Sequence, residues 1–188
     1  MKKIYIHQGH SEVESGAEGA DGYEESLYTK VVGEKLATKL EEAGYTVYLS
    51  RQRLPDAKSG AVAIDANGLG VDFVVSIHAN WADTTSATGT EVFITGLSHK
   101  AEDVATAIEE RFRAAFPNRR WRGVKLQSQS AHSTIAILTK TKAPAVLIET
   151  GFLTNAEELA WLKSQGGQDG VAGVLFDAIT KCVKDDTA

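Results

Sequence analysis

The chain has 188 residues, 43% hydrophobic and 24% charged, the balance of an ordinary globular protein long enough to bury one core. Its net charge of −5 argues against nucleic-acid binding by the chain as a whole. Cys182 is the only cysteine, which excludes a disulfide framework and a thiolate metal site and leaves histidine and carboxylate as the available metal ligands. No apolar stretch approaches the roughly 18 residues of a membrane helix. The run Ile4-Tyr5-Ile6 stops at His7, far short of a signal-peptide core, so a chain without membrane span or export signal is expected. The one basic cluster, Arg111, Arg113, Arg119, Arg120, Arg122 and Lys125, reads as a solvated helix end and loop.

In chain order, residues 3–6 predict a first strand, running into Gly9-His10-Ser11 and a loop rich in Gly and Glu. Residues 25–43 turn helical, with Leu27, Val31, Val32, Leu36 and Leu40 as the apolar stripe and Gly44 as the cap. A second strand spans residues 45–49 and ends near Arg51, and a short helix spans 57–66. Residues 73–77 are the most strand-like stretch, rich in β-branched residues and ending in His78-Ala79-Asn80. Another strand covers 90–94 and an amphipathic helix covers 99–116, stopped by Pro117. Residues 121–133 follow no clear period, and 136–138 read as a short extended piece. Residues 145–148 form a buried strand ending in Glu149-Thr150-Gly151. Asn155, with Glu158 three residues on, resembles a capping box for a helix ending at Gly166-Gly167, and a last helix covers 170–181. Strands alternating with helices predict an α/β fold: a single three-layer domain over 1–188, with a mostly parallel twisted sheet and helices on both faces. There is no internal repeat or linker to suggest a separate wall-binding domain.

Three strands end in residues able to bind metal or move protons: His10 after the first, His78 after the third and Glu149 after the last. Glu24 or Glu25 opens the first helix as a fourth candidate. A parallel sheet gathers its carboxyl ends along one edge, where residues distant in sequence converge. Two histidines and a carboxylate with an open fourth position is a catalytic zinc arrangement, and a remaining carboxylate can serve as general base. Each residue also has an ordinary structural reading, as an exposed loop histidine, a hydrogen-bonded core histidine or a glutamate at a helix N-terminus. Glu149 is hardest to explain that way, because a carboxylate after Val146-Leu147-Ile148 is desolvated and needs a partner.

Four segments carry a resemblance to a known family: Gly9-His10-Ser11 with Ser15-Gly16-Ala17; Glu25 with its helix and Ala43-Gly44-Tyr45; Ser76-Ile77-His78-Ala79-Asn80; and the long stretch Pro144-Ala145-Val146-Leu147-Ile148-Glu149-Thr150-Gly151-Phe152-Leu153-Thr154-Asn155. From about residue 3 to 181 the chain resembles the zinc-dependent N-acetylmuramoyl-L-alanine amidases of the AmiC/CwlV type (Amidase_3). The resemblance implies one catalytic Zn2+ bound by His10, Glu25 and His78, with Glu149 as the catalytic glutamate. Counting back from Ala43-Gly44-Tyr45 places the family's glutamate on Glu25 rather than Glu24. Asn80, Arg51 and His132 are the candidate substrate-binding residues. The implied partner is peptidoglycan, acted on at the cell wall by a monomer with no nucleic-acid partner. The implied reaction is hydrolysis of the amide joining N-acetylmuramic acid to L-alanine.

The chain departs from the family in two places. His7-Gln8-Gly9-His10 stands where Asp-Pro-Gly-His is common, making His7 an extra imidazole near the site, either a group behind the ligands or a competitor for metal. Residues 127–134, with His132, are unlike the family average. Two other readings compete: a zinc peptidase or carboxypeptidase acting on peptide alone, and a wall-binding module without catalysis.

Overall fold

Lys3–Gln8 form strand β1, buried from Ile4 onward, and helix α1 follows at Glu25–Glu42. The structure, a computed structural model, describes residues 1–130 and 134–184. The buried stripe of α1 is Tyr28, Val32, Leu36 and Leu40, a strict spacing of four, while Leu27 faces solvent at 48% exposure. Gly44, at φ +88°, ends the helix as expected. Strand β2 (Thr46–Leu49) passes straight into a helical turn, α2 (Ser50–Arg53), and α3 spans Ser59–Leu69, three residues beyond its predicted end.

Strands β3 (Phe73–Asn80) and β4 (Thr90–Ile94) precede helix α4 (His99–Ala115) and strand β5 (Trp121–Leu126). The chain continues through a helical turn, α5 (Ala136–Thr139), strand β6 (Ala145–Phe152) and helices α6 (Ala156–Lys163) and α7 (Gln165–Cys182). The sheet order is β2-β1-β3-β6-β4-β5. The first four strands are mutually parallel; β4 runs antiparallel to β6, and β5 is parallel to β4. The α/β class, the mostly parallel sheet and the helices on both faces are as the sequence predicts.

The two sheet faces bury separate cores. Ile4, Ile6, Val75, Ile77, Val146, Ile148 and Val92 pack under the helices that supply Val32, Leu36, Ile108 and Leu175. Tyr5, Val74, Leu147 and Phe93 pack on the other face against Val62 and Ala66 of α3 and Ile137 and Leu138 of α5. The alternation of side chains along each strand decides which residues share a face. By that rule His7, Ser76, His78 and Asn80, Glu149 and Glu91 lie on the face of α3 and α5, toward the carboxyl ends of β1, β3 and β6.

The Asn155 cap forms, its Oδ1 accepting from the N–H groups of Glu157 and Glu158, both at 3.0 Å. Glu158 does not complete the box. Its Oε2 accepts instead from the N–H groups of Gly89 (3.0 Å) and Phe152 (2.9 Å), and its Oε1 takes Arg119 Nη2 at 2.6 Å. Arg119 in turn lies 3.8 Å over the Trp161 ring. Glu158 is thus a buried clamp joining the start of β4 to the end of β6. Glu158→Ala leaves two buried N–H groups without an acceptor, and a loss of about 2–4 kcal/mol in urea unfolding is expected; a change within about 0.5 kcal/mol would remove the clamp role.

The basic cluster is not merely solvated. Arg119 pairs with Glu158, while Arg122 and Lys125 pair with the buried Glu91. Among the described residues no helix is long and apolar enough to cross a membrane.

Candidate metal centre

Parallel pairing sets the site. Ile77 of β3 lies beside Gln8 of β1, and His78 lies beside Glu149 of β6. Adjacent strands stand about 4.8 Å apart, so His78 and Glu149 project from one face as neighbours. The chain leaves β1 through Gly9 and turns sharply at His10, a non-glycine residue with φ +65°. That conformation is sparsely populated for a residue with a side chain and persists where the surroundings hold it. Arg51 is one of those surroundings: its Nη2 donates to the Gly9 carbonyl at 2.7 Å and to Thr29 Oγ1 at 3.0 Å, and Thr29 Oγ1 donates to the same carbonyl at 2.6 Å.

Glu25, the first residue of α1, carries a buried carboxylate between two imidazoles. Its Oε2 is 2.9 Å from His10 Nε2 and accepts from the Ala17 N–H at 3.1 Å. Its Oε1 is 2.9 Å from His78 Nδ1 and accepts from the Ala79 N–H at 2.9 Å. Each oxygen therefore has one backbone donor that fixes it and one imidazole facing it. Among the described residues the side chain of Glu24, the alternative, accepts only a local bond, from Ser26 Oγ at 3.0 Å. Burial opposes ionisation of Glu25, but the hydrogen bonds from His10 and His78 outweigh it and hold its pKa far below the usual carboxylate range. For His10 burial opposes protonation, yet Glu25 and Glu14 prevail and raise its pKa. Glu14 Oε1 lies 3.1 Å from His10 Nδ1, so the nitrogen facing away from Glu25 has its own carboxylate, the arrangement that orients a metal-binding imidazole.

One ligand atom from each of His10, Glu25 and His78 lies within 4.8 Å of the others, the one such cluster among the described residues. Donors bound to a tetrahedral zinc at ~2.0–2.1 Å stand ~3.3 Å apart, so nitrogen–oxygen pairs at 2.9 Å need only a small opening. The set is hard and borderline in character, two imidazoles and an ionised carboxylate, and suits a divalent cation. His7 stands outside it. It is buried, with Nδ1 2.7 Å from Ser76 Oγ and its ring 5.7 Å from that of His78. Burial first, then the charges of His78, His10 and Arg51, push its pKa well below the ordinary value and keep it neutral.

Glu149 is the remaining carboxylate of the group. Its Oε2 is shut off from solvent with no hydrogen-bond partner among the described residues. Burial, then the Glu25 and Glu91 carboxylates, push its pKa well above the usual value. An orphaned buried oxygen beside a ligand cluster is costly in a merely structural role, and it marks a place where another polar group belongs. Asn80 is occupied at both ends of its amide: Nδ2 donates to Glu91 Oε1 at 3.0 Å, and Oδ1 accepts from the Trp81 N–H at 2.9 Å. His132 lies outside the described residues.

Sequence reasoning missed Glu14, Glu91 and the glycines that cradle the imidazoles. A Cβ on Gly9 would stand 2.5 Å from His78 Cε1; one on Gly16, already at φ +73°, would stand 2.5 Å from His10 Cδ2. The signal was available as glycine on both sides of His10. Gly9→Ala must displace the His78 ring, and metal affinity measured by chelator competition is expected to fall about 10–100-fold. Unchanged affinity would show that the close approach does not matter.

The profile of the N-acetylmuramoyl-L-alanine amidase family (Amidase_3) matches residues 4–181. The chain belongs to that family. It is 30% identical over 181 residues to the N-acetylmuramoyl-L-alanine amidase LytC of Bacillus subtilis, covering 93% of this chain but 34% of the relative's length. The catalytic domain of CwlV, an N-acetylmuramoyl-L-alanine amidase of Paenibacillus polymyxa, superposes with a TM-score of 0.86 at 27% identity over 96% of this chain and 97% of that one. The amidase AmiC2 of Nostoc punctiforme gives 0.85 at 25% identity, over 96% of each chain. The resemblance drawn from four sequence segments therefore extends to the whole fold.

Proposed function

We propose that the chain hydrolyses the amide between N-acetylmuramic acid and L-alanine in peptidoglycan, that it acts on the cell wall as a zinc enzyme, and that residues 1–188 form one catalytic unit. The observation that carries this reading is the pairing of His78 with Glu149, which sets a carboxylate with an unpartnered buried oxygen beside the His10-Glu25-His78 group. Family membership supplies the substrate.

In this reading His10 Nε2, His78 Nδ1 and a Glu25 oxygen hold the zinc. When bound, the ion supplies a Lewis acid that polarises the scissile carbonyl and makes water a better nucleophile near neutral pH. Glu149 accepts the proton of the attacking water and delivers it to the departing amine nitrogen of L-alanine. The C–N bond breaks as the new C–O bond forms, leaving a lactyl carboxylate on the glycan and a free amino terminus on the peptide. The high proton affinity that burial gives Glu149 suits a group that takes a proton and passes it on. Arg51 and Asn80, both bonded to the chain itself, act in this scheme by fixing the walls of the site, Arg51 through the Gly9 carbonyl and Asn80 through Glu91.

Incubation with purified peptidoglycan tests the reading. New amino termini on L-alanine, appearing in equal number with lactyl carboxylates, are expected, and chelation should stop their release. Cleavage only within the peptide would favour a carboxypeptidase; binding to the wall without any cleavage would favour a binding module.

A further inference from the structure

The reaction just proposed leaves one buried carboxylate without a task. Glu91 of β4 lies directly across from Glu149 in the antiparallel pairing with β6, and it is 5% exposed. Three side chains converge on it: Arg122 Nε at 2.7 Å, Lys125 Nζ at 2.5 Å and Asn80 Nδ2 at 3.0 Å. Burial opposes its ionisation, and the hydrogen bonds from Lys125 and Arg122 restore it. One cation suffices to neutralise one carboxylate. Two are present, so the cluster carries a net positive charge immediately beyond Glu149.

Both cations are held rather than loose. Arg122 also donates Nη1 to the Thr88 carbonyl at 3.2 Å and lies 5.0 Å over the Phe152 ring. Their side chains are nevertheless 26% and 28% exposed, and each carries N–H groups beyond those given to Glu91 and Thr88. A fixed guanidinium beside a fixed ammonium is a recognition element for a carboxylate.

We propose that Arg122 and Lys125, with Glu91 as their positioning residue, form a subsite for a carboxylate of the substrate next to the scissile amide. The inference rests on the amidase reading above. Before cleavage the lactyl carbonyl is an amide, so the carboxylates the substrate can offer lie in the stem peptide; after cleavage the glycan-side product has one as well. The shared chemistry is a carboxylate at this pair, and the two sources can be separated.

The test uses soluble muropeptides whose second stem residue carries either a free α-carboxylate or the corresponding amide. For the wild-type holoenzyme KM is expected to be about tenfold lower for the free carboxylate, the size of one charge-assisted hydrogen bond. Lys125→Met should raise that KM alone, bringing the ratio near one with kcat little changed, and Lys125→Arg should restore the preference. If stem amidation has no effect but N-acetylmuramic acid inhibits more strongly than its lactyl amide, and Lys125→Met removes that difference, the pair holds the product's carboxylate and the subsite stands on the glycan side. Cleavage of both muropeptides by wild type with equal KM, together with equal inhibition by acid and amide, overturns the subsite and leaves the amidase reading intact, whether or not the Met variant folds. Cleavage of neither muropeptide overturns the amidase reading and the subsite with it.

Discussion

Glu149→Gln is expected to retain metal and lose hydrolysis by about 10²–10⁴-fold, the usual scale of positioned acid–base catalysis. Glutamine has the same shape and fills the same place in β6 beside His78, but it can neither accept the proton of water nor return one to the amine. The amide puts one polar group of the same size in place of another at that buried, unpartnered position, so the fold should not suffer and unfolding midpoints should match within a degree or two. Release of new amino termini from peptidoglycan, read alongside metal content per chain, decides the matter. Hydrolysis within tenfold of wild type at equal metal content would remove Glu149 from the reaction.

His78→Ala should have the opposite signature, loss of metal as the primary event. In the proposed centre the imidazole is one of three ligands; its Nδ1 lies 2.9 Å from Glu25 Oε1, and its ring fills the space left by Gly9. Two ligands, one on a loop, do not hold a divalent ion against dialysis, so content should drop from one ion per chain to near zero. A second readout does not involve catalysis. A ligand bound only by the folded state stabilises it by mass action, so zinc should raise the wild-type melting temperature and leave that of His78→Ala unmoved. One ion per chain retained by the variant would remove His78 from the ligand set. The two variants together separate holding the metal from moving the proton.

The sequence reveals most of the architecture where burial and periodicity coincide. β1, β3, β4 and β6 are read from their β-branched runs, and α4 from its single apolar face. β5 escapes because no residue from Trp121 to Leu126 is fully buried and a glycine sits in the middle, the marks of an edge strand with no clear alternation. Residues 136–138 are read as extended from their apolar triplet, whereas the structure makes Ala136–Thr139 one helical turn that buries Ile137 and Leu138 under α3. Gly166-Gly167 are read as the end of one helix and Gly170 as the start of the next, but all three lie inside α7. Two of them serve close packing: a Cβ on Gly167 would stand 2.1 Å from the Trp161 carbonyl oxygen and one on Gly170 2.5 Å from the Phe116 ring. Composition cannot tell a glycine that breaks a helix from one that lets another element approach it.

For the site, residue types at strand ends suggested where to look, and the structure brings His10, Glu25 and His78 together with Glu149 alongside. Glu91 was hidden by its context. A single carboxylate in Thr90-Glu91-Val92-Phe93-Ile94 reads as the outward residue of a half-buried strand, and only the antiparallel register shows that it faces Glu149. Strand direction is a tertiary property, set by which edges pair, and no local pattern in the chain encodes it.

The reversal of direction between β6 and β4 has a practical consequence for engineering. Because β4 and β5 enter the sheet at the end where β6 leaves it, the turns after them, around Leu97 and at Gln127–Gln129, emerge at the end remote from the histidines. Leu97 is almost fully exposed there. A dye, affinity handle or fused module grafted at that end would project away from the proposed substrate site, whereas the same graft between Trp81 and Gly89 would stand at the histidine end of the sheet.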